Sequence, residues 1–206
     1  MISTITSARK VAFALVLVCG LSLLTSCKDD DADASTPAPV AGIVEGSDLP
    51  GSPRQEKLDE DGIPLNGCHL DGSMSLQERA DHKQSVKYTL GDTEVSSYLY
   101  TYTNTRKLKQ DWDFLVNGQK RCVGTGEKEP QGSYSLLTDL PADTTGYDAI
   151  HRSDNQVVHT QRAWARKGDG TVVSVMVTRT VDKAGAEQSP SLPVDAKALT
   201  VKAAAE

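Results

Sequence analysis

The chain has 206 residues, enough for one domain with appendages or two small ones, and its 38% hydrophobic and 24% charged content suits a soluble domain of modest apolar mass. Its formal net charge is −6, and removing Arg9 and Lys10, the only charged residues before Cys27, leaves 20 basic against 28 acidic residues. That acidity argues against nucleic-acid binding, which needs clustered Lys and Arg to release counterions, and against electrostatic adsorption to an anionic bilayer.

Residues 11–24 (VAFALVLVCGLSLL) carry no charge and follow the positive pair Arg9 and Lys10. A helix that stays in the bilayer needs about 20 apolar residues; this run is shorter, so residues 1–26 read as a signal peptide. Leu24, Thr25 and Ser26 lead directly into Cys27. These four residues resemble the lipobox of bacterial lipoproteins. The resemblance implies a diacylglyceryl group on the Cys27 thiol, cleavage just before it, and retention at the extracytoplasmic face of the cell membrane. The small side chains of Thr25 and Ser26 would let a peptidase approach the backbone. A signal-anchor helix with an incidental cysteine is the competing reading, and the order of positive pair, short apolar run, lipobox and polar spacer disfavours it. Two or three acyl chains at about 0.8 kcal/mol per buried methylene anchor durably, whereas one myristoyl chain binds only marginally.

Residues 27–65 hold five of the nine prolines (Pro37, Pro39, Pro50, Pro53, Pro64), few aliphatics and no aromatic side chain. Such a stretch buries too little apolar surface to offset the entropy of ordering, so we expect a disordered tether. Asp29, Asp30, Asp31 and Asp33 would extend it by self-repulsion. Neither they nor Asp59, Glu60, Asp61 and Gly62 show the alternating ligands and distant bidentate Glu of a calcium loop, which leaves solvated charge as the better reading.

The folded domain is expected over residues 66–206. Val86, Tyr88 and Leu90 alternate in 85–90, Gly91, Asp92 and Thr93 form a turn, and Tyr98, Tyr100 and Tyr102 align in 94–102, which predicts a hairpin. Leu108, Trp112, Leu115 and Val116 then follow helical spacing, with Thr103, Asn104 or Thr105 as cap and Asn117-Gly118 as stop. Arg106 and Lys107 in its first turn oppose the helix dipole. Residues 132–137 suggest a further strand. Residues 156–166 and 171–182 flank Lys167-Gly168-Asp169-Gly170, and Val173, Val175 and Val177 share one face while Val158 and Trp164 share another, a second hairpin. Pro190 and Pro193 break the chain before an Ala- and Lys-rich helix over 194–205. The expected fold is α+β: an antiparallel sheet of about four to six strands with one or two helices packed on a face.

Cys19 would leave with the signal peptide and Cys27 would carry lipid, so Cys68 and Cys122 remain. In an exported domain two thiols are most simply a disulfide, closing a loop of roughly fifty residues and worth about 4 kcal/mol by the chain-entropy model. A redox-active pair lacks the Cys-x-x-Cys spacing.

Lipobox, acidic Pro-rich spacer, early cysteine, a helix ending near the second cysteine, and the hairpin residues Arg162, Trp164, Arg166, Gly168, Asp169 and Gly170 follow one another, with an Ala-rich terminal helix last. This order resembles the small extracytoplasmic sensor-type lipoproteins of actinobacteria, similar to receptor-kinase ectodomains. The resemblance covers residues 66–206 and implies a binding or sensing role without any catalytic residue.

Motifs for chemistry are sparse. His69, His82, His151 and His159 have no metal-ligand spacing, although His151 and His159 fall where neighbouring strands could bring them together. There is no nucleophile elbow, phosphate loop or dinucleotide fingerprint, and no cofactor or metal is expected. Paired carboxylates for glycoside hydrolysis are not readable from sequence. Two candidate binding surfaces stand out. One is the Tyr98, Tyr100, Tyr102 row, which beside Trp112 and Phe114 reads more readily as core. The other is Arg162 and Arg166 flanking Trp164, suited to anions or stacked rings, with solvated arginines on a half-exposed strand as the bland alternative. A non-enzymatic module that binds a small ligand or an envelope protein is the expectation. A structural or assembly accessory is the runner-up, and a carboxylate-dependent cell-wall hydrolase comes third.

Overall fold

The computed structural model describes residues 41–56, 70–124, 132–168, 170–182 and 190–206. The lipobox residues Leu24, Thr25, Ser26 and Cys27 lie outside these, as does Cys68, and of Cys122 only the helical backbone is described. The chain divides into a unit of residues 1–37, which lies outside the described residues, and a unit of residues 38–206.

The second unit is built on one antiparallel sheet. Its strands are β1 (Arg54–Glu56), β2 (His82–Leu90), β3 (Thr93–Thr101), β4 (Gly132–Leu136), β5 (Thr144–Arg152), β6 (Gln156–Arg166) and β7 (Thr171–Asp182). They lie in the order β1-β2-β3-β7-β6-β5-β4. Three helices accompany them: α1 (Leu70–Arg79), α2 (Thr105–Gly124) and α3 (Ala196–Ala205). The fold class is as the patterns predict, but seven strands exceed the expected four to six, and the helices cover two faces instead of one.

The parity of the strands explains both layers. On one face Tyr98, Tyr100, Tyr102, Tyr147, Trp164 and Val172 pack with Leu76 of α1 and with Leu108, Trp112 and Leu115 of α2. On the other, Val86, Tyr88, Val95, Val173, Val175 and Val177 pack with Ala196, Leu199 and Ala203 of α3. β7 serves both layers, and its residues 172–177 are all buried, as a strand covered on both faces requires.

α2 begins where the sequence places it. Asn104 Oδ1 accepts from the backbone N–H of Arg106 and Lys107 at 3.0 and 3.2 Å. Lys107 escapes the unfavourable dipole by swinging its ammonium to the Arg79 carbonyl and over the Tyr102 ring. The predicted stop at Asn117-Gly118 does not act. α2 runs on to Gly124 because the next turn carries Gln119 inward, where its Oε1 accepts from Thr145 Oγ1 at 2.7 Å. α3 is capped by Asp195, which accepts from the N–H of Lys197 and Ala198.

Ordered structure starts earlier than composition suggests. Residues 41–56, assigned above to the tether, include a 3₁₀ turn (Gly46–Asp48) and the edge strand β1. Val44 is only 1% exposed and Leu49 is also buried, both in the α3-side core, and the Val44 N–H donates to Ser97 Oγ at 3.1 Å. Two buried aliphatics, the pairing of β1 with β2 and the Asp48–Lys202 ion pair together hold this Pro-rich segment against the sheet and α3.

Candidate functional site

The two features singled out in the sequence fall on one face and meet. Register puts Tyr98 opposite Ser174 and Ser174 opposite Trp164, so the tyrosine row of β3 and the Arg-Trp row of β6 are separated only by β7. Ser174 is small and fully buried, and its size leaves the guanidinium of Arg162 room to lie across β7. The Arg162 Nε donates to Ser174 Oγ at 3.2 Å. Its guanidinium carbon sits 4.5 Å from the Trp164 ring centroid and 5.3 Å from that of Tyr98. Tyr98 stacks on Tyr100 at 6.1 Å, and Tyr147 closes the far side at 5.8 Å from Trp164. Gly146 permits this closure: a Cβ there would lie 2.6 Å from the Arg162 carbonyl oxygen.

These groups are interior: the tyrosine row lies in the core, and neither it nor Arg162 forms a surface open to solvent. Arg162 is 2% exposed, and Tyr98, Tyr100, Tyr102 and Trp164 are all buried. Only Arg166 is partly exposed; it pairs with Asp143 and stacks its guanidinium 5.5 Å from the Trp112 ring. Tyr102 also departs from the cluster, donating toward Asp111 (3.2 Å) and the Leu76 carbonyl (3.3 Å) in the α1–α2 junction. The remaining four (Tyr98, Tyr100, Arg162, Trp164) form a tight group.

What sets the group apart is unmet donors. The Tyr98 and Tyr100 hydroxyls, Arg162 Nη2 and Trp164 Nε1 are buried and complete no hydrogen bond, and Gln119 Nε2 joins them nearby. Ser96 lies near the Tyr98 hydroxyl and Arg162 near that of Tyr100, but neither contact has hydrogen-bond geometry. Among the described residues no carboxylate pairs with the Arg162 guanidinium. Burial pushes the Tyr98, Tyr100 and Tyr147 phenols up, Tyr100 to about 12, against the opposing pull of the Arg162 charge. They remain neutral donors.

Energetics make the arrangement costly for the fold alone. Removing a cation from water costs several kcal/mol even after relaxation. A desolvated cation–π contact returns about 2 kcal/mol and one neutral hydrogen bond about 1 kcal/mol. Each open donor adds its own penalty of roughly 1–3 kcal/mol.

The other sequence candidates separate. His151 and His159 lie on paired strands, but at positions of opposite parity (His151↔Val158, Ile150↔His159), so they face opposite sides and do not converge. His159 instead joins Asp148 (2.9 Å from Nε2) and the Pro190 carbonyl (2.6 Å from Nδ1). Among the described residues no group of three or more His, Cys, Asp or Glu could hold a metal, and no helix is long and apolar enough to cross a membrane. Asp111, the one buried carboxylate among the described residues, is taken by Arg79 at 2.7 Å and by Tyr102. Ser174 was missed in the sequence; a lone serine in a valine-rich strand facing two aromatics was the available signal. No family model matches the chain, and no curated protein matches it significantly.

Proposed function

We propose that the chain is a lipid-anchored module of the cell envelope, held through Cys27, whose domain binds a ligand or partner without transforming it. The observation that carries the binding role is the buried, uncompensated Arg162 among open donors, a set of groups that an occupant would satisfy and the described chain does not. The absence of turnover is supported by the kind of groups present. Guanidinium, indole and phenols raised by burial can hold an acceptor but are poorly placed to shuttle protons near neutral pH.

Mass spectrometry of the protein extracted from its own membrane tests this reading. Denatured, the chain should begin at Cys27 with a diacylglyceryl mass and be two hydrogens lighter for a Cys68–Cys122 bridge; an unprocessed chain would overturn the anchor. Native, a retained small molecule or protein supports binding. An empty monomer would favour the second reading, a structural or assembly accessory of the envelope, to which the covering of both sheet faces already lends weight.

A further inference from the structure

We infer that the Arg162 cluster takes a small monocarboxylate with an apolar body. This deepens the binding-module reading and rests on it. Around Arg162 the open groups can all donate: Nη2, the Trp164 indole N–H and two phenol hydroxyls, whose oxygens can also accept. Their common complement is a group that accepts several hydrogen bonds at once, and a carboxylate offers two oxygens with about four lone-pair sites.

Charge balance narrows the class. Lys87, which shares the Tyr98 face of the sheet, is matched by Glu94 and Glu56, and Arg166 is matched by Asp143. Arg162 therefore supplies a single unmatched positive charge. A monoanion neutralises it, whereas a dianion would leave surplus charge out of water, which a low-dielectric interior penalises. The surroundings define the rest of the ligand. The rings of Tyr98, Tyr147 and Trp164 and the buried Met176, paired in register with Arg162, present apolar surface, so the body attached to the carboxylate is apolar.

The test uses the mature lipidated protein in nanodiscs, with benzoate as probe and benzamide as its neutral isostere. Titration calorimetry and the NMR signal of the Trp164 indole N–H report binding. We expect saturable benzoate binding that shifts this signal, and benzamide binding weaker by about tenfold or more, the value of one charge-assisted hydrogen bond. Arg162→Lys keeps the charge, loses the planar fork and should weaken benzoate by about tenfold. Should the Arg162 variants fail to fold, Ser174→Ala removes only the acceptor that orients the guanidinium and should weaken benzoate several-fold. Equal affinity for the two probes, or benzoate binding unchanged in Ser174→Ala, overturns the carboxylate while leaving a binding module. If neither probe binds, the carboxylate falls as well. A neutral molecule retained on native extraction then keeps the module, and an empty protein removes both.

Discussion

Asp111 shows how one carboxylate is kept 1% exposed in the junction of α1 and α2. Arg79 reaches it at 2.7 Å from a half-exposed position, and Tyr102 donates from the sheet below. Removing one partner of such a pair strands the other, so Asp111→Ala should lower unfolding stability by about 3 kcal/mol in urea titrations. The exposed pair Lys109–Asp113, one turn apart on α2, is as short at 2.6 Å, yet Lys109→Ala should change stability by no more than about 0.5 kcal/mol. Distance alone does not rank the two; burial does. Gly170 makes a comparable point for the backbone. It has φ +94°, and a Cβ there would lie 2.5 Å from the Tyr102 carbonyl oxygen. Gly170→Ala should cost about 1–3 kcal/mol, while Gly168→Ala, with no atom within 4 Å, should be neutral or stabilise by about 0.4–1 kcal/mol. Thermal unfolding of both variants side by side separates strain from the mere loss of a glycine.

At the scale of elements, the segment that leads into α3 is held to the sheet by a histidine. His159 Nδ1 faces the Pro190 carbonyl and Nε2 faces Asp148, two acceptors that only the doubly protonated imidazolium can donate to at once. Its pKa is raised, first by the Asp148 hydrogen bond and against the cost of burial. Arg179 pairs in register with His159, but it is engaged by Asp92 and the Ser191 carbonyl. The raised value fixes the sign: the stabilisation is fully present below the unfolded pKa of about 6.5 and is lost as pH rises through the higher folded value. Denaturation midpoints should therefore fall with rising pH across that window, and His159→Gln should flatten the fall. A wild-type midpoint independent of pH there would mean the ring is not doubly protonated. Elements of this kind were unevenly legible. β6 and β7 were read to the residue, because long alternating runs flank a glycine-rich turn. β5 was missed: residues 144–152 mix Thr, Gly, Asp and His on both faces, and the strand exists because Gly146 lets it close against β6. α1 was missed too, since Leu76 is the one aliphatic buried among its described side chains. The near-unbroken apolar run Val172 to Val177 did announce a strand covered on both faces, which would have predicted the second layer. The tyrosine and arginine rows were found, but a linear sequence could not show that one intervening strand joins them.

At the scale of the whole molecule, the sheet's middle seam joins strands from opposite halves of the chain. β3 pairs with β7 along its full length, from Thr93↔Arg179 to Thr101↔Thr171, and Arg179 Nε donates to Asp92, 87 residues earlier. Synthesis, however, delivers the chain in order. β2 and β3 can zip together as soon as they emerge, but the far edge of β3 has nothing to join until residue 171 has been made. Through that interval Tyr98, Tyr100 and Val95 stand exposed on an unpaired edge, the situation that favours association between chains. Chains ended after residue 155 should accordingly aggregate or be degraded, whereas chains ended after residue 192, with the seam complete and only α3 missing, should remain collectable as soluble, protease-sensitive monomers. The late seam also acts as a clock. Until residues 171–182 are made the central seam cannot close, so the chain gains its final shape only once its closing strands have arrived.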